Sequence, residues 1–114
     1  MLTSIFLSMP IYINKLDKAI SNRTNFEHKT CRECAFGKIF YYEIYPNIDQ
    51  YDDGIKRLIL DIEKSHCEFH EIASTINTLE PKEEDQEKLR RAKGISTELF
   101  QKLLALKRLV SKHT

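Results

Sequence analysis

Tryptophan is absent from this chain, and glycine and proline occur only three times each in 114 residues. So few turn-formers argue against an all-β protein with many tight connections. Neither sign of charge dominates: eighteen basic residues stand against seventeen acidic ones, for a net charge of +1. Without a basic stripe or clustered aromatics, no nucleic-acid partner is expected. Met1 to Ile13 is apolar but too short to span a bilayer. It also lacks a basic n-region and a small-residue cleavage site, so no membrane insertion is expected. A Gly-rich phosphate loop, a nucleophile–base pair and a carboxylate dyad are missing too, and the chain is not expected to be an enzyme. A di-iron oxygen-binding bundle would need several more histidines and carboxylates on its helix seams.

What is there describes one globular domain over residues 1–114. Hydrophobic residues make up 41% and charged residues 31%, which suits a single compact core. The three cysteines are an odd number, and a secreted disulfide scaffold of this size would be denser in them. Reduced thiols and a cytoplasmic location are expected.

Apolar periodicity organises the chain into helices. Leu2, Phe6, Met9, Ile13, Leu16 and Ile20 recur at steps of three and four. Pro10 interrupts them, so a first helix either starts at an N-cap Ser8 or is kinked there. Ser21 to Asn25 is a polar break. A short helix within Phe26–Tyr42 is expected next, followed by a loop through Asp53-Gly54. Ile55, Leu58, Ile62, His66, Phe69, Ala73 and Ile76 mark a long helix closed by Glu80-Pro81-Lys82. A last helix runs from about Lys82 to Lys112, acidic at its start and basic at its finish, with Leu89, Ala92, Ser96, Leu99, Leu103, Leu106 and Val110 on its seam. Three long amphipathic helices and a short one carrying a cysteine motif make an all-α four-helix bundle. His113 belongs to the tail.

The chemistry concentrates in Cys34 and in His66-Cys67-Glu68-Phe69-His70. Histidines four apart share a helix face with Cβ atoms roughly 5–6 Å apart, close enough for both imidazoles to reach one ion. One thiolate from elsewhere brings the donors to three, and sulfur with imidazole nitrogen is the set zinc prefers. Cys31 and Cys34 also form a Cys-x-x-Cys pair, which taken alone suits metal or redox chemistry equally. Cys67 lies about 100° round the helix from His66 and is expected to point elsewhere. Glu63, Glu68 and Glu71 are candidate supports for an imidazole.

Cys34-Ala35-Phe36-Gly37-Lys38-Ile39-Phe40-Tyr41 resembles the Cys-x-(Leu/Phe)-Gly-x-Trp-x-Tyr motif of the chemoreceptor zinc-binding family. Ile62 to Ala73, with His66 and His70, resembles the same family's His-x-x-x-His helix. The resemblance implies a bundle holding one Zn2+ through a cysteine, these two histidines and a further histidine on the first helix. It also implies a bacterial signalling or chemotaxis role, sensing metal availability or thiol oxidants. Carried over residue by residue, Cys34, His66 and His70 match three of the four ligands. Two positions depart: Ile39 stands where the motif has tryptophan, and Met1 to Glu27 contains no histidine.

Met9 or a neighbour on the seam occupies the first-helix region, and a thioether suits Cu(I) better than zinc. The fourth position is therefore open to water, taken by a substitute such as Cys31 or His28, or lost together with the metal. The sensory reading predicts action through a homodimer or a signalling-protein partner. The alternative is a metal-free helical-bundle interaction protein.

Overall fold

The structure is a computed structural model that describes residues 2–112, with side-chain surroundings for 5–111. It contains four α-helices and two short helical segments of other pitch, and no strand among the described residues. The bundle is elongated, 48 × 20 × 18 Å. The all-α architecture expected from the periodicity is the one found.

Helix α1 spans Leu2–Asn22. Ile5, Met9, Leu16 and Ile20 form its buried stripe, with Phe6 and Ile13 packed at the edge. The stripe is thus centred on Ile5, one residue from the expected Phe6, and the Leu2 side chain lies outside the described set. The helix begins before Pro10 and runs through it, with the ring on the exposed side. Ser8 is no N-cap: its hydroxyl donates to the Ile5 carbonyl at 2.7 Å, a bond made inside a helix already under way. The polar break is a helix stop. Arg23 takes φ 52°, Arg23 N–H donates to Ile20 and Thr24 N–H to Ala19, closing the end with a left-handed residue other than glycine.

Residues 24–34 carry no helix, and α2 follows at Ala35–Ile39. The helical path then continues where a loop was expected, as a π turn over Phe40–Ile44 and a 3-10 turn over Tyr45–Gln50. Phe36, Phe40 and Ile44, four apart, are all buried and hold this backbone against the core. Pro46 stands at the start of the 3-10 turn, where no donor is needed.

Helix α3, Asp53–Ser74, starts at Asp52, whose carboxylate accepts the Ile55 N–H at 3.0 Å. Ile55, Ile59, Ile62, His66, Phe69 and Ala73 are buried along one face, and Leu58 flanks it. This helix ends well before Pro81. Asn77 Oδ1 accepts the N–H groups of Leu79 and Glu80, while the buried Asp85 accepts those of Asn77 and Lys82. Side-chain acceptors take over the backbone donors that a longer helix would have used. Helix α4, Glu83–Lys112, buries Leu89, Ala92, Ser96, Leu99, Leu103 and Leu106 as its periodicity predicts. It packs along α3 and α1, and α2 rests on α1. His113 lies outside the described residues.

Candidate metal centre

Cys34 caps α2 from an extended backbone, and its sulfur accepts the Gly37 N–H at 3.2 Å. A short helix would leave its first donors unpaired, and here a sulfur satisfies one of them. The Cys-x-x-Gly spacing thereby points a thiol into the core with a backbone dipole already turned towards it. Burial pushes the Cys34 thiol up, and the N–H groups of Gly37 and Phe36 pull in the opposite direction. Donors aimed at the sulfur favour its thiolate form, the form that ligates metal.

Opposite Cys34, the buried face of α3 contributes His66 and His70, which are 1% and 4% exposed. His66 Nε2 lies 3.1 Å from Cys34 Sγ. The His66 ring packs against Phe36 at 4.1 Å between centroids and meets His70 edge-on at 4.8 Å. Donor atoms of Cys34, His66 and His70 all lie within 4.8 Å of one another. The three sequence candidates are thus gathered in one buried cluster, joining the start of α2 to the middle of α3.

Their hydrogen bonding is incomplete. His66 Nδ1 and both nitrogens of His70 are buried without a partner. The Lys29 backbone is near enough to offset part of His70's burial but forms no hydrogen bond of normal geometry. Leaving a buried polar group unpaired costs about 1–3 kcal/mol, so such groups need an explanation. Burial holds both imidazoles neutral: His66 is lowered to about 3, with His70 adding to the effect, and His70 is lowered mainly by its own burial. Neutral imidazoles and a thiol supported by N–H donors are what a divalent ion of the zinc class needs. The donor set fits the metal.

Neither substitute fourth ligand joins the cluster. Cys31 is bonded to Cys67 as a disulfide, so its sulfur cannot ligate while that bond stands. The expectation of reduced thiols is corrected at these two positions: Cys31 and Cys67 approach with Cα atoms 4.9 Å apart, and only Cys34 is free. His28 is exposed on the loop, where its ring meets that of Phe26 edge-on at 5.1 Å between centroids. Glu63 accepts from the Tyr41 hydroxyl at 2.8 Å and supports no imidazole.

On α1, Tyr12 meets the His70 ring edge-on at 4.9 Å, and its hydroxyl accepts the Lys29 N–H. Met9 and Tyr12 line, with Cys34 and Phe36, a cavity of about 300 Å³. The role of Tyr12 was not foreseen, because an aromatic one turn beyond Met9 is indistinguishable in sequence from ordinary packing. The disulfide was not foreseen either. Its one signal is positional: Cys31 precedes Cys34 by three residues and Cys67 follows His66, so pairing the ligands brings their neighbours together.

A family model described as the chemoreceptor zinc-binding domain matches residues 11–77, more than half of the chain, and all three cluster residues fall inside that span. No curated protein and no solved structure matches the chain.

Proposed function

The chain belongs to the chemoreceptor zinc-binding domain family, and on that premise we propose that it is a zinc-responsive sensory module of bacterial signalling or chemotaxis. The observation that carries this reading is the buried Cys34–His66–His70 cluster with three unpartnered imidazole nitrogens. Zinc would be held by Cys34 Sγ and one nitrogen from each histidine. Bound there, it supplies a positive charge that keeps the thiol deprotonated and ties α2 to α3. Because the ion binds the folded chain, occupancy stabilises the bundle by mass action. Oxidation of Cys34 would remove one donor of three and release the ion, which makes the same site responsive to thiol oxidants. The family is sensory and not catalytic, and we propose no reaction for the chain. No described helix is long and apolar enough to cross a membrane, and we place the module in the cytoplasm. The bound state is read out by a second copy or by a signalling-protein partner.

Elemental analysis of protein purified without chelators tests this reading. About one zinc per chain is expected, and a Cys34→Ala/His66→Ala variant should lose it. Content far below one ion, unchanged by the substitutions, rejects the proposal.

One observation favours a second reading, a metal-free bundle that serves as an interaction protein. On α1, Tyr12 meets the His70 ring and Met9 lines the cavity beside Cys34, and no residue of that helix is a histidine. On this reading a chelator leaves the thermal midpoint unmoved.

A further inference from the structure

The two cysteines outside the cluster occupy a telling position. Cys31 and Cys67 form a disulfide across a sequence separation of 36. Cys31 lies three residues before Cys34, and its carbonyl oxygen is 3.9 Å from Cys34 Sγ. Cys67 directly follows His66. The disulfide and the metal cluster therefore cross-link the same two segments, the turn before α2 and the middle of α3.

The two sites differ in access. Cys34 is buried, whereas Cys31 and Cys67 are half-buried and line an open depression of about 340 Å³ with His28 and Lys29. A small thiol can reach that disulfide without entering the core. The surroundings also bridge the two segments: the Arg32 guanidinium stands 4.3 Å over the Tyr41 ring, and the Tyr41 hydroxyl contacts Cys67 Sγ at 3.7 Å.

We propose that Cys31–Cys67 is a reversible thiol–disulfide site, reacting with low-molecular-weight thiols and their disulfides, that sets the affinity of the metal centre. The coupling half of the proposal rests on the metal reading of Cys34, His66 and His70. In the reducing direction a small thiolate attacks one sulfur of the pair, the S–S bond breaks and a mixed disulfide forms. The other cysteine leaves as a thiolate and takes a proton. A second small thiol then attacks the mixed disulfide, freeing the first cysteine and departing as the small-molecule disulfide. Two electrons and two protons enter the chain, and two small thiols are oxidised. The reverse reaction uses the small-molecule disulfide as its oxidant.

The coupling follows from shared ordering. Cys34 is carried by a turn outside any helix, and that turn must be fixed against α3 before the three donors can meet. With Cys31–Cys67 closed, the turn is already held, so the ion binds more tightly. Linkage is reciprocal, so a bound ion makes the pair harder to reduce by the same factor. Couplings of this type are about 5–150-fold. A thiol pair that is open at rest and closes under oxidant also accommodates a cytoplasmic location, where permanent disulfides are rare.

The experiment has two arms on the whole chain. In the first, zinc affinity is measured by competition with a chromophoric chelator, on the oxidised protein, on the reduced wild type and on the redox-inert Cys31→Ser/Cys67→Ser variant. In the second, wild type and Cys34→Ala are equilibrated in mixtures of a small thiol and its disulfide, with and without zinc. The Cys31–Cys67 pair is then quantified by alkylation and peptide mass. The oxidised protein should bind zinc about tenfold more tightly than the double-serine variant. Zinc should shift the half-reduction point of wild type by the same factor, and should not shift that of Cys34→Ala. Equal affinities with no zinc-induced shift overturn the coupling. Tighter binding by the reduced wild type also overturns it, since a freed Cys31 would then be joining the ion. Pairing of Cys34 with either other cysteine on oxidation overturns the site itself. If zinc binds no form while Cys31–Cys67 still titrates, the metal reading fails and the coupling with it, but the redox site stands.

Discussion

A Cβ placed on Gly37 would stand 1.9 Å from the carbonyl oxygen of Cys31. The turn carrying Cys31 passes directly over the first turn of α2, and only a residue without a side chain lets it do so. The same closeness keeps Gly37 N–H on the Cys34 sulfur. Gly37 in the cysteine motif is therefore a packing requirement of the site.

Gly37→Ala should force the turn off α2 and displace Cys34. The obstructing atom is backbone and cannot rotate away, so a loss of about 1–3 kcal/mol in stability is expected. Zinc affinity should fall with it. Gly94→Ala is the control, because nothing lies within 4 Å of a Cβ there and the position is exposed inside α4. That change should raise stability by about 0.5–1 kcal/mol through helix propensity. Denaturant melts of both variants check the pair, and a neutral Gly37→Ala would sink the packing argument.

His70→Leu separates stability from function. Both imidazole nitrogens of His70 are buried without partners, so in metal-free protein the residue is a burden. A leucine of similar volume removes it and should leave the chelated protein as stable as wild type or more so, by up to about 1–3 kcal/mol. The stabilisation gained on adding zinc should disappear. Thermal melts with zinc and with chelator give both signs in one measurement. If zinc still raises the midpoint of the variant, His70 is not a ligand.

Acid should destabilise the metal-free chain through the same two histidines. His66 is lowered to about 3 and His70 is lowered as well, both mainly by burial. The unfolded chain, with ordinary histidines near 6.5, therefore takes up protons first as pH falls. Stability is complete above about 6.5 and drains away below it, towards about 3 for His66, by up to about 1.4 kcal/mol per pH unit for each histidine. Urea midpoints of chelated protein at about pH 7.5 and about pH 5 measure the loss. A His66→Leu/His70→Leu variant should lose much less, and equal losses would show that other groups carry the effect.

The legible parts of this chain are those governed by local periodicity. The seams of α3 and α4 follow from apolar spacing, because a helix that packs on one side repeats its buried residues every three or four positions. The pairing of His66 with His70 comes from the same rule. Besides the contact of Tyr12 with His70, three features were not legible. The helical path from Phe40 to Gln50 alters its pitch twice, which blurs any fixed period. The end of α3 at Ser74 is set by Asn77 and Asp85, whose acceptors work across a turn that no window of apolar residues reports. The Cys31–Cys67 bond is a long-range pairing, and an odd cysteine count does not say which thiol remains free.

The first helix offers the sharpest test of what the site lacks. Met9 is 4% exposed on the buried stripe of α1 and lines the same cavity as Cys34. A thioether there is a poor zinc donor, whereas an imidazole is a good one and completes a Cys-His-His-His set. Met9→His should therefore raise zinc affinity by at least about tenfold, which is about 1.4 kcal/mol. In metal-free protein the same change should lower stability, because it buries another imidazole without a partner. Wild type should rank above the variant for Cu(I) and below it for zinc. Competition titrations with a zinc chelator and a Cu(I) chelator give that ranking. If Met9→His leaves zinc affinity unchanged while the variant remains folded, position 9 does not face the ion, and the proposed completion of the ligand set from that position is wrong.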